Sequence, residues 1–270
     1  MPAPSLPTVD LMQPTEIAQP FHRAGWVYEE KYDGWRMVTY KRGEQVQLIS
    51  RPGRDHTRRF PALVAAIAAL GPATLILDGE VCLFDQQLVS RFEWLRHGKP
   101  PGVATPPLFM ALDCLYAAER DLRELALRAR RDWLEDVILG QTFVLPARRL
   151  PDDGLEAWTE VLARGYEGLV AKDPASPYRG GRTLAWLKVK QPRYREGSVP
   201  GRNMTPRQIS TMIREMRDAK GLTQVQLAKR AKVTRGYLAQ LEAGHKTNPS
   251  LPTLRKLAKA LGVPVTELVA

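Results

Sequence analysis

"EEKYDGWR", from Glu29 to Arg36, sets one lysine between acidic and aromatic neighbours and follows it two residues later with Asp-Gly. The stretch has two readings. Either Lys31 is a solvated cation at a strand end closed by an Asp-Gly turn, or the chain holds an amine there for chemistry. What lies outside these eight residues decides between them.

Further short pieces follow in order: "SR" at Ser50-Arg51 after a strand-like run, "LDGE" at Leu77 to Glu80, "EGLVAK" at Glu167 to Lys172, and "WLKVK" at Trp186 to Lys190. Singly, each reads as charge near a strand end. Jointly, the ordered set resembles the nucleotidyltransferase motifs of ATP-dependent DNA ligases of the bacterial type, to which "PFHRAGWVYEEKYDGWR" is similar. The resemblance covers about residues 12 to 193. It implies an enzyme in which Lys31 attacks the α-phosphorus of ATP, giving a lysyl-AMP phosphoramidate and pyrophosphate, and then passes AMP to the 5′-phosphate of a nick in double-stranded DNA.

The residue types suit that chemistry. Attack needs a neutral amine, whereas a free lysine titrates near ~10.4, so the site must disfavour the protonated form. Lys188 and Lys190, with Mg²⁺ or Mn²⁺, would do so while holding phosphate oxygens. Their i, i+2 spacing puts both on one face of a strand. The resemblance further implies that Glu29 accepts from the adenine amino group, that Glu80 holds the ribose, and that Arg36 and Arg51 grip the ribose or the nick-flanking phosphate and hydroxyl. Glu167 would bind the metal as a hard oxygen ligand. Lys172 and Asp173 read as surface charges.

The chain has 270 residues, 44% of them hydrophobic and 26% charged, which argues for folded domains and against global disorder. No apolar run is long enough to cross a bilayer, and the start "MPAPSLPTVD" lacks a signal-peptide pattern, so a cytoplasmic protein is expected. Cys82 and Cys114 each sit in an apolar run and read as buried, reduced thiols. His22, His56, His97 and His245 share no spacing and receive no role, and Trp26 and Trp35 read as core. The net charge of +11 suggests a polyanionic partner, and from Thr205 onward 12 Lys/Arg face 4 Asp/Glu, so +8 lies there and +3 in the rest.

"MVTYK", "VQLIS", "ATLILDGEVCLF", "LFMALDCLY" and "LAWLKVK" read as strands, and "FPALVAAIAAL" and "LRELALRARRDWLEDVIL" as helices. Their order is not a regular βαβ series. An α+β, antiparallel-sheet domain is expected over 1–193, then a Pro/Gly-rich linker over 194–206, then a small all-α domain over 207–270 of four or five short helices.

That tail, "LTQVQLAKRAKVTRGYLAQLEAGHKTNPSLPTLRKLAKALGV", resembles the helix-turn-helix domain of the phage repressor/Cro type. The resemblance makes Ala228, Val233, Leu238 and Leu241 the turn and its core, with Thr223 and Thr234 as helix caps. It sends the second helix into the major groove with Thr234, Arg235, Tyr237 and Gln240 leading, Gln224 and the helix N-termini binding phosphates, and Glu242 supporting the fold. Single domains of this type bind weakly, so pairing through the tail is an accompanying expectation.

Two departures from the ligase pattern stand out. Where the family stacks an aromatic ring on adenine, this strand has Leu112, an aliphatic side chain that predicts weaker base binding. After Lys190, where full ligases continue into an OB-fold domain, the sequence runs into linker and helices, so sealing is expected to lean on the tail or on an accessory DNA clamp or repair protein. These departures keep a second reading open: a non-catalytic DNA-binding regulator whose ligase-like half senses nucleotide. Retention of Lys31, Asp33, Glu80, Glu167, Lys188 and Lys190 favours the enzyme. A third reading, RNA ligation or GTP-dependent capping, shares the lysine chemistry. Glu29 favours adenine over guanine, and the tail argues for DNA.

Overall fold

The computed structural model describes residues 6–97, 102–192, 194, 206–246, 249 and 251–263. The chain divides into two compact units, Met1–Ser198 and Val199–Ala270.

In chain order the first unit contains β1 (Met12–Glu16), β2 (Val27–Lys31), β3 (Trp35–Arg42), β4 (Gln45–Ser50), α1 (Pro61–Ala68), β5 (Thr74–Cys82), α2 (Phe92–His97), β6 (Leu108–Ala117), β7 (Arg120–Asp121), α3 (Leu127–Val137), β8 (Val144–Pro146), α4 (Gly154–Arg164), β9 (Gly168–Lys172) and β10 (Gly181–Lys190). They form a four-stranded sheet ordered β1-β10-β9-β2 and a larger sheet ordered β4-β3-β5-β6-β7, with β8 beside β6. Most neighbours run antiparallel, as expected, but β1 pairs with β10 and β8 with β6 in parallel.

Alternation along the strands builds two cores from one sheet, because successive side chains point to opposite faces. Met37, Leu75 and Leu77 face Leu63 and Ile67 of α1 and Leu134 of α3. Val38, Ile76 and Leu115 turn the other way, onto Met12 of β1 and Trp186 of β10. Both cysteines are buried and unbridged.

Two glycines of the quoted motifs are required by close approach. A Cβ on Gly34 would stand 2.5 Å from the carbonyl oxygen of Val81, and its φ is not among the positive ones, so it admits the neighbouring strand rather than making the expected turn. A Cβ on Gly168 would stand 2.0 Å from the carbonyl oxygen of Val189, so only glycine lets β9 meet β10 directly after Glu167.

The second unit contains α5 (Pro206–Ala219), α6 (Gln224–Arg230), α7 (Arg235–Glu242) and α8 (Leu251–Leu261). Thr223 and Thr234 cap α6 and α7 as the sequence suggests, accepting from the amides of Gln226 at 3.2 Å and Tyr237 at 3.1 Å. Ala228, Leu238 and Leu241 are buried, and Val233 packs against them. Most of the expected linker, and the stretch "PVTELVA" at 264–270, where a last short helix is expected, lie outside the described residues. No described helix is long and apolar enough to cross a membrane.

Candidate active site

The order of the four-stranded sheet assembles the quoted motifs. β9 lies between β2 and β10, and its Gly168 stands opposite both Lys31 and Lys190. Glu167, the residue before it, is thereby caught between two lysines from distant parts of the chain. Nζ of Lys31 lies 2.5 Å from its Oε2, and Nζ of Lys190 3.6 Å from its Oε1. Lys31 is neither solvated nor buried, with 19% of its side chain exposed. Lys188 pairs with Glu16 at 3.3 Å across the β1–β10 register.

These strands edge a cleft of about 240 Å³, whose lining includes Lys31, Arg36, Arg51, Glu80, Leu112, Val170, Arg182 and Lys188. Leu112 and Val170 give it an apolar wall. Glu80 faces Arg36 across β3 and β5, accepts from the Gly34 amide at 3.1 Å, and is pushed up to about 7 by burial, against the opposing pull of Lys31. Arg36 is oriented by Asp78, to which Nε and Nη2 donate at 2.5 and 2.6 Å, while Tyr178 donates to the same carboxylate at 2.8 Å. Arg51 donates to Gln13 at 3.2 Å.

One expectation needs correcting. Lys172 is a core residue, 1% exposed, with Nζ 2.7 Å from Glu29, donating to the carbonyl of Leu112 at 3.1 Å and lying 4.2 Å from the centre of the Trp186 ring. Burial pulls its amine below the usual lysine range although Glu29 opposes the shift. Asp173 is half-buried and accepts from the amide of Ala175. Glu29, in turn, is 2% exposed and also accepts from Arg131 at 3.0 Å. An adenine amino group would be a third partner on that carboxylate. In the second unit the half-buried Gln224 side chain donates to Glu242 at 2.8 Å. Glu242 supports the fold by also accepting twice from buried Arg217.

Arg182 was missed by sequence reasoning. It lines the cleft from the start of β10, where it stands opposite Gln13 of β1, ahead of the register shift between Pro14 and Thr15; that pairing joins segments far apart in the chain. Thr234, Arg235 and Gln240 are exposed along α7, whereas Tyr237 is half-buried, with Nζ of Lys246 4.6 Å from its ring centre.

Glu30 was also missed. It points to the opposite side of β2 from Lys31, is 1% exposed, and neither oxygen has a hydrogen-bond partner among the described residues. The Nη1 of Arg148 lies 3.1 Å from Oε2 without the alignment of a hydrogen bond, and burial pushes the carboxyl up to about 8. The fold therefore keeps a proton that the unfolded chain releases near 4.5, and stability falls as pH rises from there to about 8. The slope from this group reaches about 1.4 kcal/mol per pH unit. Glu30→Gln is expected to flatten this part of the profile. Urea midpoints at pH 5, 6.5 and 8 measure it, and equal slopes in wild type and variant would refute the assignment.

Residues 9–190 match the family model of the ATP dependent DNA ligase domain, and residues 213–268 that of a helix-turn-helix. The chain belongs to the ATP-dependent DNA ligase family. It is similar to the multifunctional non-homologous end joining protein LigD of Pseudomonas aeruginosa, 33% identical over 171 residues that make up 62% of this chain and 20% of that protein. A probable DNA ligase of Mycobacterium sp. strain KMS is 36% identical over 186 residues, 65% of this chain and 35% of that one. The chain thus spans about a fifth of the length of the LigD protein it matches. Among solved structures, mycobacterial DNA ligase D complexed with ATP and MES superposes with a TM-score of 0.58 at 30% identity, over 67% of this chain and 60% of that chain.

Proposed function

We propose that the first unit is an ATP-dependent nucleotidyltransferase that adenylylates Lys31 and passes AMP to the 5′-phosphate of nicked duplex DNA, with the second unit as a DNA anchor. The observation that carries this reading is the meeting of Lys31, Glu167 and Lys190 at the edge of a basic cleft. The residues fit the substrate: Leu112 and Val170 offer an apolar wall to a purine, and Arg51, Arg182 and Lys188 offer positive charge to phosphates. Glu80 and Arg36 would meet the ribose, and Glu29 would accept from the adenine amino group.

The donor set also fits a divalent cation. No group of three metal-ligating side chains occurs among the described residues. Mg²⁺ typically takes one or two carboxylates with substrate phosphate oxygens and water, and Glu167 supplies such a carboxylate. A bound cation would neutralise phosphate charge. For this chain's own residues the consequence is specific: attack needs the lone pair of Lys31, so Glu167 must exchange its 2.5 Å contact with the amine for another partner. Lys188 and Lys190 would hold phosphate oxygens while it does so.

Incubation with α-labelled ATP and Mg²⁺ tests the reading. An acid-labile label on the peptide carrying Lys31 is expected, and absence of label, with nicked DNA supplied, would overturn it. The same assay separates the second reading, a nucleotide-sensing regulator, which the aliphatic Leu112 favours: a sensor would retain ATP without a covalent label.

In the second unit, Thr234, Arg235, Tyr237 and Gln240 are the proposed DNA-reading set. Removing residues after about Pro200 is expected to leave labelling intact and to weaken duplex binding. Arg235→Ala should cost about 1–3 kcal/mol of affinity for a preferred site, read by titration at fixed salt. Unchanged binding would show that α7 does not face DNA.

A further inference from the structure

Beyond the matched ligase segment, Gln191 and Tyr194 fold back onto the motif where the sequence reading began. The Gln191 amide donates to the carbonyl of Glu167 at 2.9 Å, and the Tyr194 amide donates to the carbonyl of Gln191 at 3.0 Å. The turn delivers the Tyr194 hydroxyl to Asp33, to which it donates at 2.8 Å. Asp33 is 6% exposed, and its own amide donates to Ser90 at 2.8 Å, so the hydrogen bond from Tyr194 is made in a largely dry setting. Burial and the facing Asp33 carboxylate both push the phenol up, so it stays a donor.

The consequence is a closed circuit around the amine. Lys31 lies two residues before Asp33 on one side, Glu167 holds its Nζ on the other, and Lys190, one residue before the turn, reaches the same carboxylate. The turn thus fastens the end of the lysine strand to the ends of the two strands that carry Glu167 and Lys190.

From this circuit we infer that Tyr194 is a positioning residue for Lys31, acting through Asp33. The hydroxyl occupies one oxygen of Asp33, fixes the Lys31–Gly34 segment against the Gln191–Tyr194 turn, and keeps the amine aimed at the cleft. The cleft lining does not include Tyr194, so its loss lowers the rate of attack without weakening ATP capture.

The inference rests on the AMP-transfer reading, and the test separates the two. Full-length wild type and Tyr194→Phe are compared in single-turnover labelling with α-labelled ATP over a range of concentrations, and in hydrogen exchange of the peptide spanning residues 30–36. The variant is expected to lose about 3- to 10-fold in rate at saturating ATP, the worth of one hydrogen bond, with half-saturating ATP within about twofold. Amides of the 30–36 peptide should exchange faster by about the same factor, at an unchanged melting temperature. Equal maximal rates, or a loss confined to half-saturation, would overturn the inference. If wild type takes no label, the AMP-transfer reading fails, and exchange alone decides whether Tyr194 holds this segment. Equal exchange then overturns the inference.

Discussion

Lys31→Ala is expected to carry no AMP label, and Lys31→Arg no more than Lys31→Ala. The alanine variant lacks the nucleophile. The arginine variant keeps the positive charge beside Glu167, but a guanidinium stays protonated at any working pH and has no lone pair to offer. Loss of at least about a thousandfold in labelling rate is the scale for removing a nucleophile. The two variants together separate chemistry from charge: binding of ATP should survive better in Lys31→Arg, because the cleft keeps its cation. Label on the arginine variant would locate the nucleophile elsewhere and remove the basis of the AMP-transfer reading.

The second large effect lies in the core. Arg130 and Asp113 are both 0% exposed and joined by two hydrogen bonds of 2.8 Å, and Arg130 also donates to the carbonyl of Ser176 at 3.0 Å. Arg130→Ala strands the Asp113 carboxylate in the interior. Breaking such a pair from one side costs about 3–5 kcal/mol, since the remaining charge is desolvated and uncompensated. For a unit of this size that corresponds to a melting temperature lower by roughly 6–20 °C. Arg130→Met combined with Asp113→Leu removes both charges and should recover most of the loss. Calorimetry of the three proteins measures it, and a single variant as stable as wild type would show that the pair holds nothing. Asp113 follows Leu112 on β6, so the same pair steadies one wall of the cleft.

What could be read from the sequence, and what could not, follows from range. "MVTYK", "VQLIS" and "LFMALDCLY" announced β3, β4 and β6 because apolar, β-branched and aromatic residues cluster there. The constellation of Lys31, Glu80, Glu167, Lys188 and Lys190 was legible because the resemblance supplied the pairing that no local pattern contains. The stretch "MQPTE" carries Pro14, which argues against a strand, yet β1 is an edge strand, where proline is tolerated. Lys172 was misread as a surface charge because its partners, Glu29 and the carbonyl of Leu112, lie far away in sequence. Arg130 and Arg131 escaped notice for the same reason: a buried ion looks like a solvated one until its counter-ion is known. Gly34 was read as a turn former, and only the nearness of Val81 shows that it makes room.

The strand that supplies Lys188 and Lys190 pairs on one side with β1, from the start of the unit, and on the other with β9. A ribosome must therefore have released residue 190 before the first and last strands can join, and until then the lysine at position 31 has no finished pocket around it.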